Sequence, residues 1–166
     1  MRRDDPAGAA LVRQGLEHAD ALYNLARYLT RSSIDAEDMV QETYARAHAA
    51  AAQFAPGTNL KAWLFRILRN ACIDLARRRR VVEEPFDENA MPVADPGPVA
   101  HVVLAYEIER AVLALPEPAR AVILLDLEGF TESESAEILG CAVGTIKSRL
   151  ARARTSLRER LNAHAS

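Results

Sequence analysis

The chain has 166 residues, with 21 basic and 23 acidic side chains and a formal charge of -2. That balance excludes a uniformly basic nucleic-acid-coating protein. No apolar run reaches the roughly 18 residues that predict a membrane span, and no apolar signal core follows Met1–Pro6, so a cytoplasmic chain without membrane insertion is expected. Cys72 and Cys141 lack metal-ligand spacing, which argues against a zinc site or a disulfide scaffold. Aromatics are 5% and strand-type runs are scarce, so the expected fold class is all-α.

The charge is unevenly spread. Residues 1–80 hold 13 basic and 9 acidic side chains, whereas residues 81–100 hold five acids (Glu83, Glu84, Asp87, Glu88, Asp95) and no cation. With Pro85, Pro92, Pro96, Gly97 and Pro98, the stretch 81–98 reads as an acidic flexible linker. Two small helical domains, 9–80 and 99–163, are expected on either side. In the first, helices are predicted over Ala9–Thr30, over Ser33–Phe54 and from Thr58 or Asn59 to Arg80. In the second, helices are predicted near 99–114, 117–128, 132–139 and 143–162, broken at Pro116, Gly129 and Gly140.

At 100° per residue, Ala36, Val40, Tyr44, Ala47, Ala51 and Phe54 share one face of the second helix. Asp35, Asp38 and Glu42 project from the other, with Gln41 at its edge. Charge alone leaves two readings, a solvated face or a docking surface for a basic partner. In the third helix the predicted buried stripe is Leu60, Leu64, Ile67, Leu68, Ala71 and Leu75. Arg66, Arg69, Arg77 and Arg80, with Arg78 and Arg79, lie elsewhere on it. Six Arg in 15 positions without a Lys favour phosphate contact, because the guanidinium forks onto phosphate oxygens, although late cations also suit the helix dipole. Trp63, Arg66 and Asn70 fall along one edge, an aromatic, a cation and an amide suited to an unpaired base. Ordinary core is the plainer reading for Trp63 alone.

Thr131-Glu132-Ser133-Glu134 reads as a capping box, followed by Ala136 and Gly140 at the spacing of a helix-turn-helix. In the next helix Ile146, Leu150, Ala153, Leu157 and Leu161 face inward, and Ser148, Ala151, Arg152 and Thr155 outward. Between residues 145 and 161 there are six cations and one acid, which puts the basic side on the recognition helix.

These stretches together resemble the extracytoplasmic-function (ECF) group of sigma-70-type sigma factors. Asp35 to Tyr44 is similar to the family's region 2.2, Asn59 to Asn70 to regions 2.3 and 2.4, and Leu115-Pro116-Glu117 with Gly144 to Arg154 to region 4. The resemblance implies a sigma-2-like domain (9–80) and a sigma-4-like domain (99–163). It implies core RNA polymerase as partner, met at the largest-subunit clamp helices by Asp35, Asp38, Gln41 and Glu42, and at the flap region. It implies capture of a flipped −10 base and of opened promoter DNA by Gly57, Thr58, Asn59, Lys61, Trp63, Arg66, Arg69, Asn70, Arg77 and Arg80. It assigns −35 readout to Thr145, Lys147, Ser148, Arg149, Ala151 and Arg152. It also implies an anti-sigma partner, of the small zinc-binding type, and a role in a stress or envelope/redox response. No cofactor and no catalysis are expected, since His18, His48, His101 and His164 show no metal or acid–base spacing. The competing reading is a stand-alone helix-turn-helix regulator of duplex operators, which uses residues 131–155 and leaves the acidic helix idle.

Overall fold

A computed structural model describes residues 5–81 and 99–164, with side chains described from 106 in the second stretch. The predicted linker, 81–98, lies outside them except for Val81. Among the described residues every regular element is helical. The chain divides into two compact units, Met1–Ala90 and Met91–Ser166.

The first unit contains α1 (Pro6–Gly15), α2 (Ala19–Thr30), α3 (Ser33–Ala49) and α4 (Leu60–Val81). The single helix predicted over Ala9–Thr30 is thus two, joined by a 3-10 turn at Leu16–His18. Gly15 explains the break. It is a poor helix residue, and it lets α1 approach α4 so closely that a Cβ would stand 2.8 Å from Leu64 Cδ1. Its carbonyl accepts the Tyr44 hydroxyl at 2.8 Å, which ties α1 to α3.

Caps set the other boundaries. The Asp5 carboxylate accepts the Ala7 amide and Pro6 opens α1. The Ser32 hydroxyl accepts the Asp35 amide at the start of α3. Of the two candidate caps before α4, Asn59 fills the role, its side-chain oxygen accepting the Ala62 amide at 3.1 Å. The helix predicted to reach Phe54 ends at Ala49 and tightens into a 3-10 turn at Ala51–Gln53.

The core of this unit is Leu22, Leu25, Ala26, Ala36, Met39, Ala47, Leu64, Phe65, Leu68 and Ala71. Both predicted stripes are rotated from their expected phase. On α3 the buried line is Ala36, Met39, Thr43 and Ala47, while Val40 and Tyr44 are half-buried. Thr43 is tolerated inside because its hydroxyl donates to the Met39 carbonyl at 2.7 Å. On α4 the line is Leu64, Phe65, Leu68, Ala71 and Cys72, with Leu60, Ile67 and Leu75 at its margin.

The second unit contains α5 (Val99–Leu113), α6 (Glu117–Leu127), α7 (Glu132–Leu139) and α8 (Val143–His164). Helix α6 ends in a Schellman turn: Gly129 takes φ +85° and the Phe130 amide donates back to the Leu125 carbonyl. The predicted capping box is complete, the Glu134 amide donating to Thr131 Oγ1 at 3.1 Å and the Thr131 amide to Glu134 Oε2 at 2.8 Å. Gly140 then turns the chain at φ +65° into α8. Ile146, Leu150 and Ala153 of α8 are buried with Val122, Leu125 and Ile138, as their spacing predicts.

Candidate nucleic-acid interface and docking face

Helix α3 presents Asp38 and Gln41 to solvent, with Glu37 beside them. Ile34 shares this face, one turn before Asp38, and is 72% exposed. Residue type hides it, because an isoleucine near a helix start is ordinarily core. Its position at i, i+4 and i+7 to Asp38 and Gln41 was the available signal.

The expectation that all three carboxylates project outward fails for Asp35. Its side chain is only 15% exposed and turns towards α4. Both of its oxygens accept from Arg79, at 2.7 Å from Nη1 and 2.8 Å from Nη2. This forked bond from Arg79, helped by the nearby positive charge and the Ser32 hydroxyl, outweighs burial and holds the Asp35 carboxyl below its ordinary range. Glu42 is partly engaged too. Arg46 Nε donates to Glu42 Oε1 at 2.8 Å and Arg46 Nη1 to Asp74 Oδ2 at 2.9 Å. The Glu42 bond leads in raising the Arg46 pKa above its usual value.

On α4, Arg66 and Asn70 are exposed along the predicted edge, and Arg69 is half-buried. Trp63 is half-buried against Phe54, with ring centroids 5.1 Å apart and planes tilted by 50°. It is neither plain core nor a free stacking platform, because Phe54 holds part of the ring. The supporting role of Phe54 was not foreseen, since the sequence placed it on the buried face of the preceding helix. Before α4, Gly57 takes φ +84° with open space around its Cα, and the Thr58 hydroxyl donates to the Ala55 carbonyl at 2.6 Å. Lys61 lies 5.8 Å above the Phe65 ring. At the end of the helix, Arg77, Arg78 and Arg80 are exposed, whereas Arg79 grips Asp35.

On α8, Ser148, Ala151, Arg152 and Thr155 are exposed, as their phase predicts. They are not all equally available. The Ser148 hydroxyl donates to the Thr145 carbonyl. Lys147 stands 3.7 Å from Glu132, and Arg154 donates to Asp126 at 2.9 Å. Arg149 and Thr145 are half-buried. Ala151, Arg152, Thr155, Ser156 and Glu159 line a shallow open groove on the outer face. The result is an outer face of α8 with Arg152 exposed at its centre and with Lys147 and Arg154 held near carboxylates from α7 and α6.

Among the described residues, no three His, Cys, Asp or Glu side chains gather as a metal site. No described helix is long and apolar enough to cross a membrane.

Residues 16–81 match the family model for Sigma-70 region 2, and residues 105–157 match that for Sigma-70, region 4. The ECF RNA polymerase sigma factor SigE of Mycolicibacterium smegmatis is 39% identical over 97% of this chain, which spans 64% of that relative's length. The ECF RNA polymerase sigma factor EcfG of Rhodopseudomonas palustris is 49% identical over 74% of this chain and 68% of its own. Among solved structures, the sigma factor RpoE of Bartonella quintana, in complex with the anti-sigma factor NepR, is 38% identical with a TM-score of 0.78. That likeness covers 90% of this chain and 95% of RpoE. A region 2 match that contains the carboxylate helix and the arginine helix, followed by a region 4 match that contains the helix-turn-helix, places this chain in the sigma-70 family, as a member of its ECF group.

Proposed function

We propose that this chain is a dissociable promoter-specificity subunit of bacterial RNA polymerase, working in the cytoplasm by binding rather than by catalysis. The observation that carries the reading is the division of labour within the first unit. An exposed acidic and apolar face (Ile34, Asp38, Gln41, with part of Glu42) occupies α3, and an exposed cationic edge (Arg66, Asn70, Arg77, Arg80) occupies α4. The first face suits a basic protein surface such as the polymerase clamp helices. The second suits single-stranded or opening DNA.

In this reading Gly57, Thr58, Asn59 and Lys61 surround the site that takes a base flipped from the −10 element. Trp63, braced by Phe54, borders it, and Arg66, Arg69, Asn70, Arg77 and Arg80 meet the strand. Extruding a base costs a few kcal/mol of stacking and pairing, which the pocket and the phosphate contacts offset. The second unit reads the −35 element as duplex. Arg152 reaches base edges from the exposed face of α8, while Thr145, Lys147 and Arg149 fix the register through phosphates. Each reader alone binds weakly. Held at fixed spacing on one polymerase, they act as linked sites and select promoters together. An anti-sigma partner that covers these faces keeps the subunit inactive, in keeping with the RpoE–NepR complex.

The test is initiation from a cognate promoter by purified bacterial core enzyme with and without the chain. Asp38→Arg abolishes recruitment to core. Retention of wild-type core affinity by that variant overturns the docking assignment. Tight operator binding by the isolated chain, with no effect on polymerase start sites, favours a stand-alone regulator instead.

A further inference from the structure

Two cross-helix links join α3 to the second half of α4, in reversed order along the two helices. Near the start of α3, Asp35 receives both terminal nitrogens of Arg79 from the last turn of α4. Near the end of α3, Arg46 reaches Asp74 at 2.9 Å. The first link joins the two working surfaces most directly. Asp35 stands one turn before Asp38 on the docking helix, and Arg79 stands between Arg77 and Arg80 in the terminal arginine cluster. A forked guanidinium–carboxylate bond fixes orientation as well as distance, which a single-point ammonium does not. It also occupies Asp35 and Arg79, the two side chains that the charge pattern would otherwise assign to polymerase and to phosphate.

We propose that Asp35 and Arg79 are positioning residues whose forked bridge sets the register of the DNA-facing helix α4 against the docking helix α3. Polymerase bound on α3 thereby fixes where Arg77 and Arg80 point, and neither Asp35 nor Arg79 itself touches polymerase or DNA. This inference rests on the proposed function of the two faces.

The test uses the full chain assembled with core enzyme. The variants are Asp35→Asn, Arg79→Gln, their double, and Arg79→Lys. Three quantities are read: affinity for core, the rate of promoter opening followed by a fluorescent base in the −10 element, and the salt dependence of promoter binding. Core affinity stays within about twofold for all four, because Asp38 and Gln41 are intact. Opening slows by about tenfold in each single variant, and the double is no slower, the mark of two residues acting through one bond. Arg79→Lys keeps the charge and loses the fork, so it opens as slowly as Arg79→Gln, with an unchanged salt slope. Additive losses, rescue by Arg79→Lys, or a salt slope reduced by about one on loss of the Arg79 charge would instead make Arg79 a direct phosphate contact and overturn the proposal. A proportional loss of core affinity in Asp35→Asn would make Asp35 a docking residue and overturn it equally. Failure of the wild-type chain to bind core is a different result and rejects the proposed function itself.

Discussion

The two units both present exposed cations from a small helical core, and they do so by different means. In the second unit the recognition helix is set by signals close in sequence: the Thr131–Glu134 capping box, the left-handed Gly140 and the inward line Ile146, Leu150 and Ala153. Its paired cations, Lys147 and Arg154, meet carboxylates from the neighbouring helices and stay exposed. In the first unit the decisive contacts are half-buried bonds between helices: Asp35 with Arg79, Arg46 with Asp74, and Tyr44 with the Gly15 carbonyl, whereas the second unit's Arg154–Asp126 pair, as far apart in sequence as Arg46 and Asp74, lies exposed. A site built on local signals keeps its shape when one surface side chain changes. A site built on cross-helix bonds transmits such a change from one face to another.

The largest effect that would sharpen this contrast is in the core. Phe65 is fully buried between the helices of the first unit, and Phe65→Ala is expected to cost about 3–5 kcal/mol. The chain has one Trp, Trp63, so denaturant unfolding followed by its fluorescence reports that unit. A loss under about 1 kcal/mol would show that the site collapses around the gap and that the first unit is less tightly specified than its burial implies.

Next comes the Asp35–Arg79 bridge. Asp35→Asn is expected to cost about 1 kcal/mol at neutral pH, since Asp35 is shielded but the Arg79 side chain is 40% exposed and water screens the bond. Because the folded Asp35 pKa lies below its ordinary value of 3.8, the charged form is favoured by folding. That contribution is fully present above about pH 5 and is lost as pH falls through the depressed folded value. The stability gap between wild type and Asp35→Asn therefore closes in acid. A gap independent of pH would break the electrostatic account of the first unit.

In the second unit, Arg152→Ala is expected to relax base discrimination at one −35 position by about 1–3 kcal/mol while leaving unfolding unchanged. Competition binding with substituted promoters by the holoenzyme measures this. A uniform loss across all sequences would make Arg152 a phosphate contact. Thr131→Ala is expected to cost as little as Asp35→Asn, about 1 kcal/mol of stability through loss of the cap, with the −35 preference unaltered. A change of promoter preference in that variant would show that the second unit also passes structural change to its reading face.

Much of this molecule is legible in the sequence alone. The breaks at Pro116, Gly129 and Gly140, the Asn59 and Thr131 caps and the outward phase of α8 all rest on interactions within a few residues, which spacing and residue type express directly. The break at Gly15 has only a weak local mark, one glycine that a helix can tolerate, because the close packing on Leu64 that makes use of it comes from a distant helix. The phases of α3 and α4 were misjudged for a related reason. Apolar periodicity gives the width of a buried stripe, but the neighbouring helices choose its centre, and a back-bonded threonine such as Thr43 can sit inside it.

The sequence by itself determined the all-helical class, the polarised charge and the order of the two family regions, since composition, caps and motif spacing are properties of the chain. Only the tertiary structure decided which charges remain available to partners. Arg79 and Arg80 are adjacent and chemically identical, yet one is held by a carboxylate 44 positions away and the other faces solvent. That difference exists only once α3 and α4 pack together, because an ion pair depends on distance in space and not on distance along the chain.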